Sequence, residues 1–141
     1  MKVFLDTSVL VSAFVDDHPH HEASLALFLR SEKKHAGCAA HSLAEVYATL
    51  TRLPTPHRAS ASEAILFLEN IKARLAFISL DPEEYWRAIM HAADLNIVGG
   101  TIYDALLMHC ALKAKANTIY TWNLGHFQQL GGDVAKRVRT P

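Results

Sequence analysis

The sequence of 141 residues lacks any long hydrophobic run, which argues against a membrane protein. No segment approaches the roughly 18 uninterrupted apolar residues that a membrane helix needs. The N-terminus also lacks the basic region, apolar core and small-residue cleavage site of an export signal. We therefore expect a cytoplasmic protein without a membrane partner.

Cysteine is scarce, and neither sign of charge is in excess. Cys38 and Cys110 are too few for a disulfide framework and lack the paired spacing of a structural zinc site, which favours buried, reduced thiols. The 14 basic residues balance the 14 acidic ones, so the net positive charge typical of nonspecific polyanion binders is missing. A local basic rim around an acidic pocket remains compatible with this balance.

The composition is that of an ordered chain, with half of the residues hydrophobic and a fifth charged. This length predicts a single domain over residues 1–141. Short apolar runs predict strands, and segments with helical spacing lie between them. The predicted strands cover 3–5, 36–40, 75–80, 118–122 and 134–139, and the predicted helices cover 7–15, 20–33, 82–95, 101–115 and 123–130, with two more beginning at Ser42 and Ser60.

This alternation predicts an α/β fold. Helical crossovers between short apolar strands favour a parallel sheet, because each crossover must bury its helix against the sheet. We expect a roughly five-stranded, mainly parallel sheet that is covered by helices on both faces.

The segment from Val3 to Val11 joins the first strand to the first helix. Three apolar residues end at Asp6, and two hydroxyl residues, Thr7 and Ser8, precede the helical run. Asp6 therefore follows the carboxyl end of a strand, which in an open parallel sheet faces the ligand crevice. Helix capping by one of these polar residues explains the same pattern equally well.

Two further acids can reach the same edge of such a sheet. Glu45 lies in the helix after the second strand, and Asp104 begins the helix before the fourth. Three converging carboxylates repel one another, and a hard divalent cation relieves that repulsion. Capping is again the alternative, because both acids stand three residues after a Ser or Thr, the spacing that Ser60 and Glu63 share.

Four blocks of sequence carry a more specific signal when they are taken together. They are FLDTSVL at 4–10, SLAEV at 42–46, IYDALL at 102–107 and TWNLGHF at 121–127. This set resembles the PIN-domain ribonucleases, in particular the VapC-like toxins of type II toxin–antitoxin pairs. The blocks span nearly the whole chain, so the resemblance implies one PIN-like domain.

The resemblance implies an endoribonuclease that depends on Mg²⁺, for which Mn²⁺ can substitute. Asp6, Glu45 and Asp104 occupy the family's acidic, metal-binding positions. The metal would orient a water for in-line attack on an RNA phosphodiester. Glu45 is expected to bind the metal, directly or through water, or to take the proton of that water.

The chain departs from the family pattern at the fourth acidic position, where Asn123 replaces the usual Asp. A neutral amide would hold a second cation less strongly, which leaves open whether one or two metals act. Candidate substrate-binding residues near these acids are Thr7, Ser8, Thr121 and His126. The alternative function is a catalytically weak PIN-fold protein that binds RNA or a partner.

The resemblance also implies a cognate antitoxin and a homodimer. Apolar residues spread over more than one side of the helix at 65–71, and those at 23–29 line a helical face. Such surfaces are buried in the core or cover a partner. A run of histidines at 18, 20 and 21 lacks a recognised metal-ligand spacing, and we expect these residues to be exposed in a loop and a first helical turn.

Overall fold

The computed structural model describes residues 1–141, and its centre is a five-stranded sheet in which every neighbouring pair is parallel. The strands are β1 (Val3–Leu5), β2 (Ala36–Ala39), β3 (Ala76–Ile78), β4 (Thr118–Tyr120) and β5 (Val138–Arg139). Gly37 suits its place in β2, because a Cβ there would lie 2.9 Å from the carbonyl oxygen of Ala76 on β3. The predicted α/β class and parallel sheet are confirmed.

Eight helices connect these strands. They are α1 (Thr7–Phe14), α2 (His21–Leu29), α3 (Ser42–Thr51), α4 (Ala61–Arg74), α5 (Pro82–Asp94), α6 (Thr101–Lys113), α7 (Leu124–Gln128) and α8 (Gly132–Ala135). Two of them begin with a complete capping box, α4 through Ser60 and Glu63 and α5 through Asp81 and Glu84. None of the helices is long and apolar enough to cross a membrane.

The strand order β3-β2-β1-β4-β5 places a topological switch between β1 and β4. From β1 the chain proceeds to β2 and β3 on one side, and it then returns to β4 and β5 on the other. The crevice outside the carboxyl ends of the strands at such a switch is where open α/β sheets bind ligands. Asp6 follows β1 at this point, and Thr121 follows β4.

Each face of the sheet packs against its own hydrophobic core. Phe4 and Leu5 are adjacent in β1 and both fully buried, but they belong to different clusters, because successive strand residues point to opposite faces. The Phe4 cluster includes residues of α5 to α8, and the Leu5 cluster includes residues of α1 to α4. The prediction that helices cover both faces is confirmed.

The predicted boundaries need correction in several places. The second helix ends at Leu29 rather than at 33, and the third strand is limited to Ala76–Ile78. The predicted edge strand over 134–139 is partly wrong, because Val134 lies in the one-turn helix α8, where it is buried in the Phe4 cluster. Only Val138 and Arg139 pair with β4.

The helix α4 combines the two predicted alternatives, since part of it is buried in the core and part is exposed. Phe67 and Ile71 are buried in the core, whereas Ile65 is 47% exposed and Leu66 is 62% exposed. A second exposed apolar surface lies on α5, where Trp86 is 66% exposed and Ile89 and Met90 are exposed as well. Both cysteines are buried and free, in agreement with the prediction of unpaired thiols.

Candidate active site

A cleft of about 520 Å³ lies at the carboxyl ends of β1 and β4. Asp6 reaches it from the end of β1, Glu45 from α3 and Asp104 from the first turn of α6. The fold thus brings together three acids that are far apart in the sequence. Three further predicted site residues also line this cleft, namely Thr7, Ser8 and Asn123.

Asp6 is almost fully buried and is held by two hydroxyl groups. Ser8 Oγ donates to its Oδ2 over 2.8 Å, and Thr121 Oγ1 donates to the same oxygen over 2.7 Å. Although Asp6 is the N-cap residue of α1, its side chain makes no capping hydrogen bond. The other oxygen, Oδ1, accepts no hydrogen bond from a side chain, and the backbone N–H of Thr7 also donates to the carboxylate.

The capping interpretation is wrong for Glu45 and Asp104. The N-cap residues of α3 and α6 are His41 and Gly100, and neither cap has a side-chain hydrogen bond. The hydroxyl of Ser42 instead accepts a hydrogen bond of 2.9 Å from Thr7 Oγ1, which ties the start of α3 to the start of α1. The same spacing therefore serves a helix cap at Glu63 and a cleft at Glu45 and Asp104.

Glu45 lies beside a histidine that the sequence did not single out. Nε2 of His41 lies 3.2 Å from Oε1 of Glu45, but the geometry is not that of a hydrogen bond, and both buried atoms lack a hydrogen-bond partner. A buried carboxylate oxygen without a partner is costly unless a donor or a cation completes its surroundings.

Asp104 makes one strong contact, to His126. Nδ1 of His126 lies 2.8 Å from Oδ2 of Asp104, and this contact joins α7 to α6. His126 is exposed and does not line the cleft, so the structure places it behind a carboxylate rather than beside the substrate space. The other oxygen of Asp104, Oδ1, accepts no hydrogen bond.

The electrostatics of the cleft favour a bound cation. Burial raises the pKa of Asp6 above its ordinary value of 3.8, against the lowering effect of the Thr121 and Ser8 hydrogen bonds, and the charge of Asp104 raises it further. Burial also raises the pKa of Asp104, which the His126 contact lowers and the charge of Glu45 raises. A cation bound between these groups would offset both burial and mutual repulsion.

The donor set fits a hard divalent cation. It consists of carboxylate and amide oxygens, which Mg²⁺ prefers, and Mg²⁺ keeps several waters when only a few carboxylates bind it. A more compact set of three ligand atoms, all within 4.8 Å of one another, is formed by Asp16, Asp17 and His57. That set is exposed and does not line the cleft.

Two other predicted residues occupy different settings. Thr121 is fully buried and does not line the cleft, and its Oγ1 also accepts a hydrogen bond of 2.9 Å from the backbone N–H of Asn123. Thr121 therefore positions Asp6 and the start of α7. The side-chain amide of Asn123 makes no hydrogen bond and lines the cleft, so it is free to contact a ligand.

Sequence reasoning missed part of the cleft wall. His18 and His20, in the segment between α1 and α2, line the cleft together with Trp122, which follows β4. Of the three histidines expected to be exposed, His20 is exposed, whereas His18 and His21 are half-buried. The His20 ring stacks on Trp122 with centroids 3.7 Å apart. The available signals were the density of histidines after α1 and an aromatic residue at the end of β4.

Comparison with known proteins agrees with this fold. The family model of the PIN domain matches residues 3–131. The chain belongs to the PIN-domain family. Nucleases of this family depend on divalent metals, in keeping with the acidic cleft.

The curated relatives narrow the class. Ribonuclease VapC40 of Mycobacterium tuberculosis is 35% identical over 114 residues, which are 81% of each chain. Ribonuclease VapC27 of the same organism is 35% identical over 113 residues, covering 79% of this chain and 78% of the relative. The chain is therefore a VapC-like member of the family, and the resemblance to VapC-like ribonucleases is confirmed.

Solved structures share the fold at low sequence identity. The Mycobacterium tuberculosis toxin VapC20, described as cleaving the sarcin-ricin loop, matches with a TM-score of 0.72 at 13% identity over 89% of this chain and 92% of that chain. VapBC2 from Rickettsia felis, bound to a DNA fragment from its promoter, matches with a TM-score of 0.67 at 17% identity over 99% and 98%. These likenesses show the fold alone.

Proposed function

We propose that this VapC-like protein is an endoribonuclease that uses Mg²⁺, or Mn²⁺ in its place, to hydrolyse RNA phosphodiesters. The observation that carries the proposal is the convergence of Asp6, Glu45 and Asp104 on one cleft, where none of the three acids caps its helix. Acids without a local structural role, gathered at a topological switch point, are suited to hold a cation.

The residues of the cleft have separate roles in this proposal. Asp6 and Asp104 bind the cation through the carboxylate oxygens that accept no side-chain hydrogen bond, and Glu45 binds it directly or through water or accepts the proton of the attacking water. When bound, the cation supplies Lewis-acid chemistry that activates water and offsets charge on the phosphoryl oxygens.

The polar residues around these acids either contact the substrate or hold the acids in position. Thr7 lines the cleft and can contact a phosphate, while Ser8 and Thr121 keep Asp6 in one orientation. His126 holds Asp104 in the same way. Asn123 contributes a neutral amide, so the free protein binds one cation well and a second one weakly.

We further propose that the enzyme acts in the cytoplasm as the toxin of a toxin–antitoxin pair. Support for an antitoxin site comes from a mainly apolar groove of about 170 Å³ between α3, α4 and β3. Its lining residues are Leu43, Ile65, Leu68 and Phe77, with Glu69 and Lys72 also present. Such a groove suits the apolar face of an amphipathic helix. A homodimer is also part of the proposal, and the exposed Trp86, Ile89 and Met90 of α5 are the surface that it would cover.

The test is to incubate the purified protein with structured cellular RNAs, with and without Mg²⁺, and to map the cleavage ends. We expect cleavage at defined positions that is lost on chelation and restored by Mg²⁺ or Mn²⁺. RNA binding without cleavage under any divalent metal would favour the alternative, a PIN-fold binding module.

A further inference from the structure

An aromatic pair forms one wall of the acidic cleft. The rings of His20 and Trp122 are nearly parallel, with an interplanar angle of 8° and centroids 3.7 Å apart. Trp122 is partly buried and packs against the Leu5 cluster, whereas His20 is exposed. The ring centroid of His18 lies 5.5 Å from that of His20, and the two ring planes are tilted by 44°, so His18 does not stack in parallel on His20. The pair therefore ends in an exposed imidazole.

Several hydrogen bonds hold this pair in place. Trp122 Nε1 donates to Ser24 Oγ over 2.8 Å, which fixes the indole against α2. The backbone N–H of His20 donates to Nδ1 of His18 over 3.0 Å, which fixes the turn that presents the imidazole. Aromatic surfaces that are already rigid bind a planar ligand at a low cost in conformational entropy.

The pair is also connected to Asp6 through Ser8. The backbone N–H of Trp122 donates to Ser8 Oγ over 3.0 Å, and Ser8 Oγ donates to Asp6 Oδ2 over 2.8 Å. His18, His20 and Trp122 line the same cleft as the three acids. A planar group that lies on the pair is therefore beside the position of the reacting phosphate.

We propose that the exposed ring of His20, supported by Trp122, is a stacking site for a nucleobase of the RNA next to the cleaved phosphodiester. This inference rests on the proposed ribonuclease function and adds a base-binding subsite to it. Every nucleobase has a π face, so stacking on an aromatic ring holds single-stranded RNA with little sequence preference. The polar cleft binds the backbone, and the aromatic pair binds an unpaired base.

The test measures binding of single-stranded RNA with and without bases. The protein carries Asp104→Asn to suppress cleavage and Trp86→Phe so that Trp122, the only remaining tryptophan, reports on the cleft. The probes, in buffer with Mg²⁺, are a hexamer of adenylate and a hexamer of the same backbone in which every ribose is abasic. We expect the adenylate hexamer to change the Trp122 emission and to bind at least about tenfold more tightly, the effect of one stacked base.

Three further variants in this background separate stacking from a structural role. His20→Leu covers the indole face of Trp122 without offering a π face, so it should reduce the ratio of the two affinities to nearly one. His20→Phe should keep the ratio, because a phenyl ring also stacks. His91→Ala removes an exposed histidine of α5 outside the cleft and should leave the ratio unchanged. Thermal unfolding of each variant checks that the fold is intact.

The inference is overturned if the parent protein binds both hexamers equally, if His20→Leu keeps the ratio, or if His20→Phe or His91→Ala loses it. The ribonuclease function is tested separately by cleavage of cellular RNA with the unsubstituted protein. Base-dependent binding without any cleavage would remove the enzyme and leave the stacking site. Cleavage with base-independent binding would do the reverse.

Discussion

Thr121 Oγ1 lies 2.7 Å from Oδ2 of Asp6, and this buried hydrogen bond joins the ends of β4 and β1 at the switch point of the sheet. The same hydroxyl accepts the backbone N–H of Asn123 over 2.9 Å. One side chain therefore orients an acid of the cleft and also fixes the loop that presents Asn123. Thr121 therefore holds two residues of the cleft in position, although its own side chain does not line the cleft.

Thr121→Val should lower the free energy of unfolding by about 1–3 kcal/mol, because it leaves the backbone N–H of Asn123 without its acceptor and the buried Asp6 carboxylate with Ser8 as its only side-chain donor. Metal binding should also need a higher pH, since the hydroxyl lowers the pKa of Asp6. Urea denaturation and Mn²⁺ titration at several pH values measure the two effects. Thr121→Ser keeps the hydroxyl and is the control. Equal stability of the Val and Ser variants would argue against this role.

Asp6→Asn should stabilise the metal-free protein at neutral pH. A carboxyl whose pKa is raised by folding binds protons more tightly in the folded state, so its stabilising protonation is lost as the pH rises from the ordinary value of 3.8 through the raised value. The amide stays neutral and still accepts from Ser8 and Thr121. We expect a higher Tm by a few degrees at pH 7, where about 1 kcal/mol corresponds to roughly 4 °C.

Thermal scans from pH 4 to pH 8 in a chelating buffer measure this difference. It should shrink as the pH falls, because the raised pKa of Asp6 lets the folded wild-type protein take up the proton more readily than the unfolded one. Addition of Mn²⁺ at pH 7 should raise the Tm of the wild type more than that of Asp6→Asn. A metal-free Asp6→Asn protein that melts below the wild type at pH 7 would contradict the prediction.

Asp104→Asn should leave the fold intact and reduce metal-dependent cleavage by about 100-fold or more, the scale on which active sites lose rate when a preorganised charge is removed. Asn has a similar shape, and the side chain of Asp104 makes no helix cap whose loss would destabilise α6. Cleavage rates at saturating Mg²⁺ and circular dichroism provide the measurement.

Glu63→Gln is the matched control for Asp104→Asn. Glu63 has the same spacing from a hydroxyl residue, but its carboxylate accepts the backbone N–H of Ser60 over 3.0 Å in a true capping box. Gln can make the same hydrogen bond. The cleavage rate of Glu63→Gln should equal that of the wild type. Unchanged cleavage by Asp104→Asn would remove Asp104 from the site.

The cleft acids and Glu63 show which features of the site the sequence can predict. The position of Asp6 after an apolar run predicted its place at the sheet edge, and the four sequence blocks identified Glu45 and Asp104. Spacing could not distinguish a cap from a catalytic acid, because Glu45, Glu63 and Asp104 share it. The structure shows which role applies, through the Thr7–Ser42 contact for Glu45 and through the cap hydrogen bonds that α6 lacks and α4 makes.

The aromatic wall could not be predicted for a related reason. His20 reaches the cleft because the segment between α1 and α2 is held by long-range contacts, including Ser12 Oγ to Ser24 Oγ at 2.6 Å and His21 Nδ1 to the carbonyl of Ser12 at 2.9 Å. Local patterns do not encode such contacts. The same limit applies to Val134, whose burial against other helices overrides the strand pattern of its neighbours.

Ile65→Glu should weaken neutralisation by the proposed cognate antitoxin, while cleavage of RNA stays unchanged. The new carboxylate would stand in the α4 groove beside apolar side chains and four residues from the like-charged Glu69, and a partner helix would bury it there. We expect about a 30-fold loss of affinity, the effect of one hot-spot residue of about 2 kcal/mol. Inhibition of cleavage by added antitoxin provides the measurement.

Ile89→Glu is the matched control on the α5 surface. It introduces the same charge at a residue of similar exposure, 43% against 47% for Ile65. It should leave inhibition by the antitoxin intact and shift the protein from dimer to monomer in light scattering. Full inhibition of the Ile65→Glu protein at unchanged antitoxin concentration would exclude the α4 groove as the docking site.

Asn123→Asp should strengthen binding of Mn²⁺ to the free protein without changing the fold. The Asn123 side chain lines the cleft and makes no hydrogen bond that a carboxylate would break. One added negative charge about 4 Å from a cation contributes ~4 kcal/mol at an effective dielectric of 20, before desolvation is subtracted. We therefore expect an affinity gain of roughly tenfold or more.

In the wild type, a second ion should bind only when an RNA phosphate supplies the missing negative ligand. Titration calorimetry with Mn²⁺ on both proteins, with and without an RNA oligonucleotide, decides the matter. Two comparably tight sites in the free wild-type protein, or unchanged binding after Asn123→Asp, would show that Asn123 stands outside the metal centre.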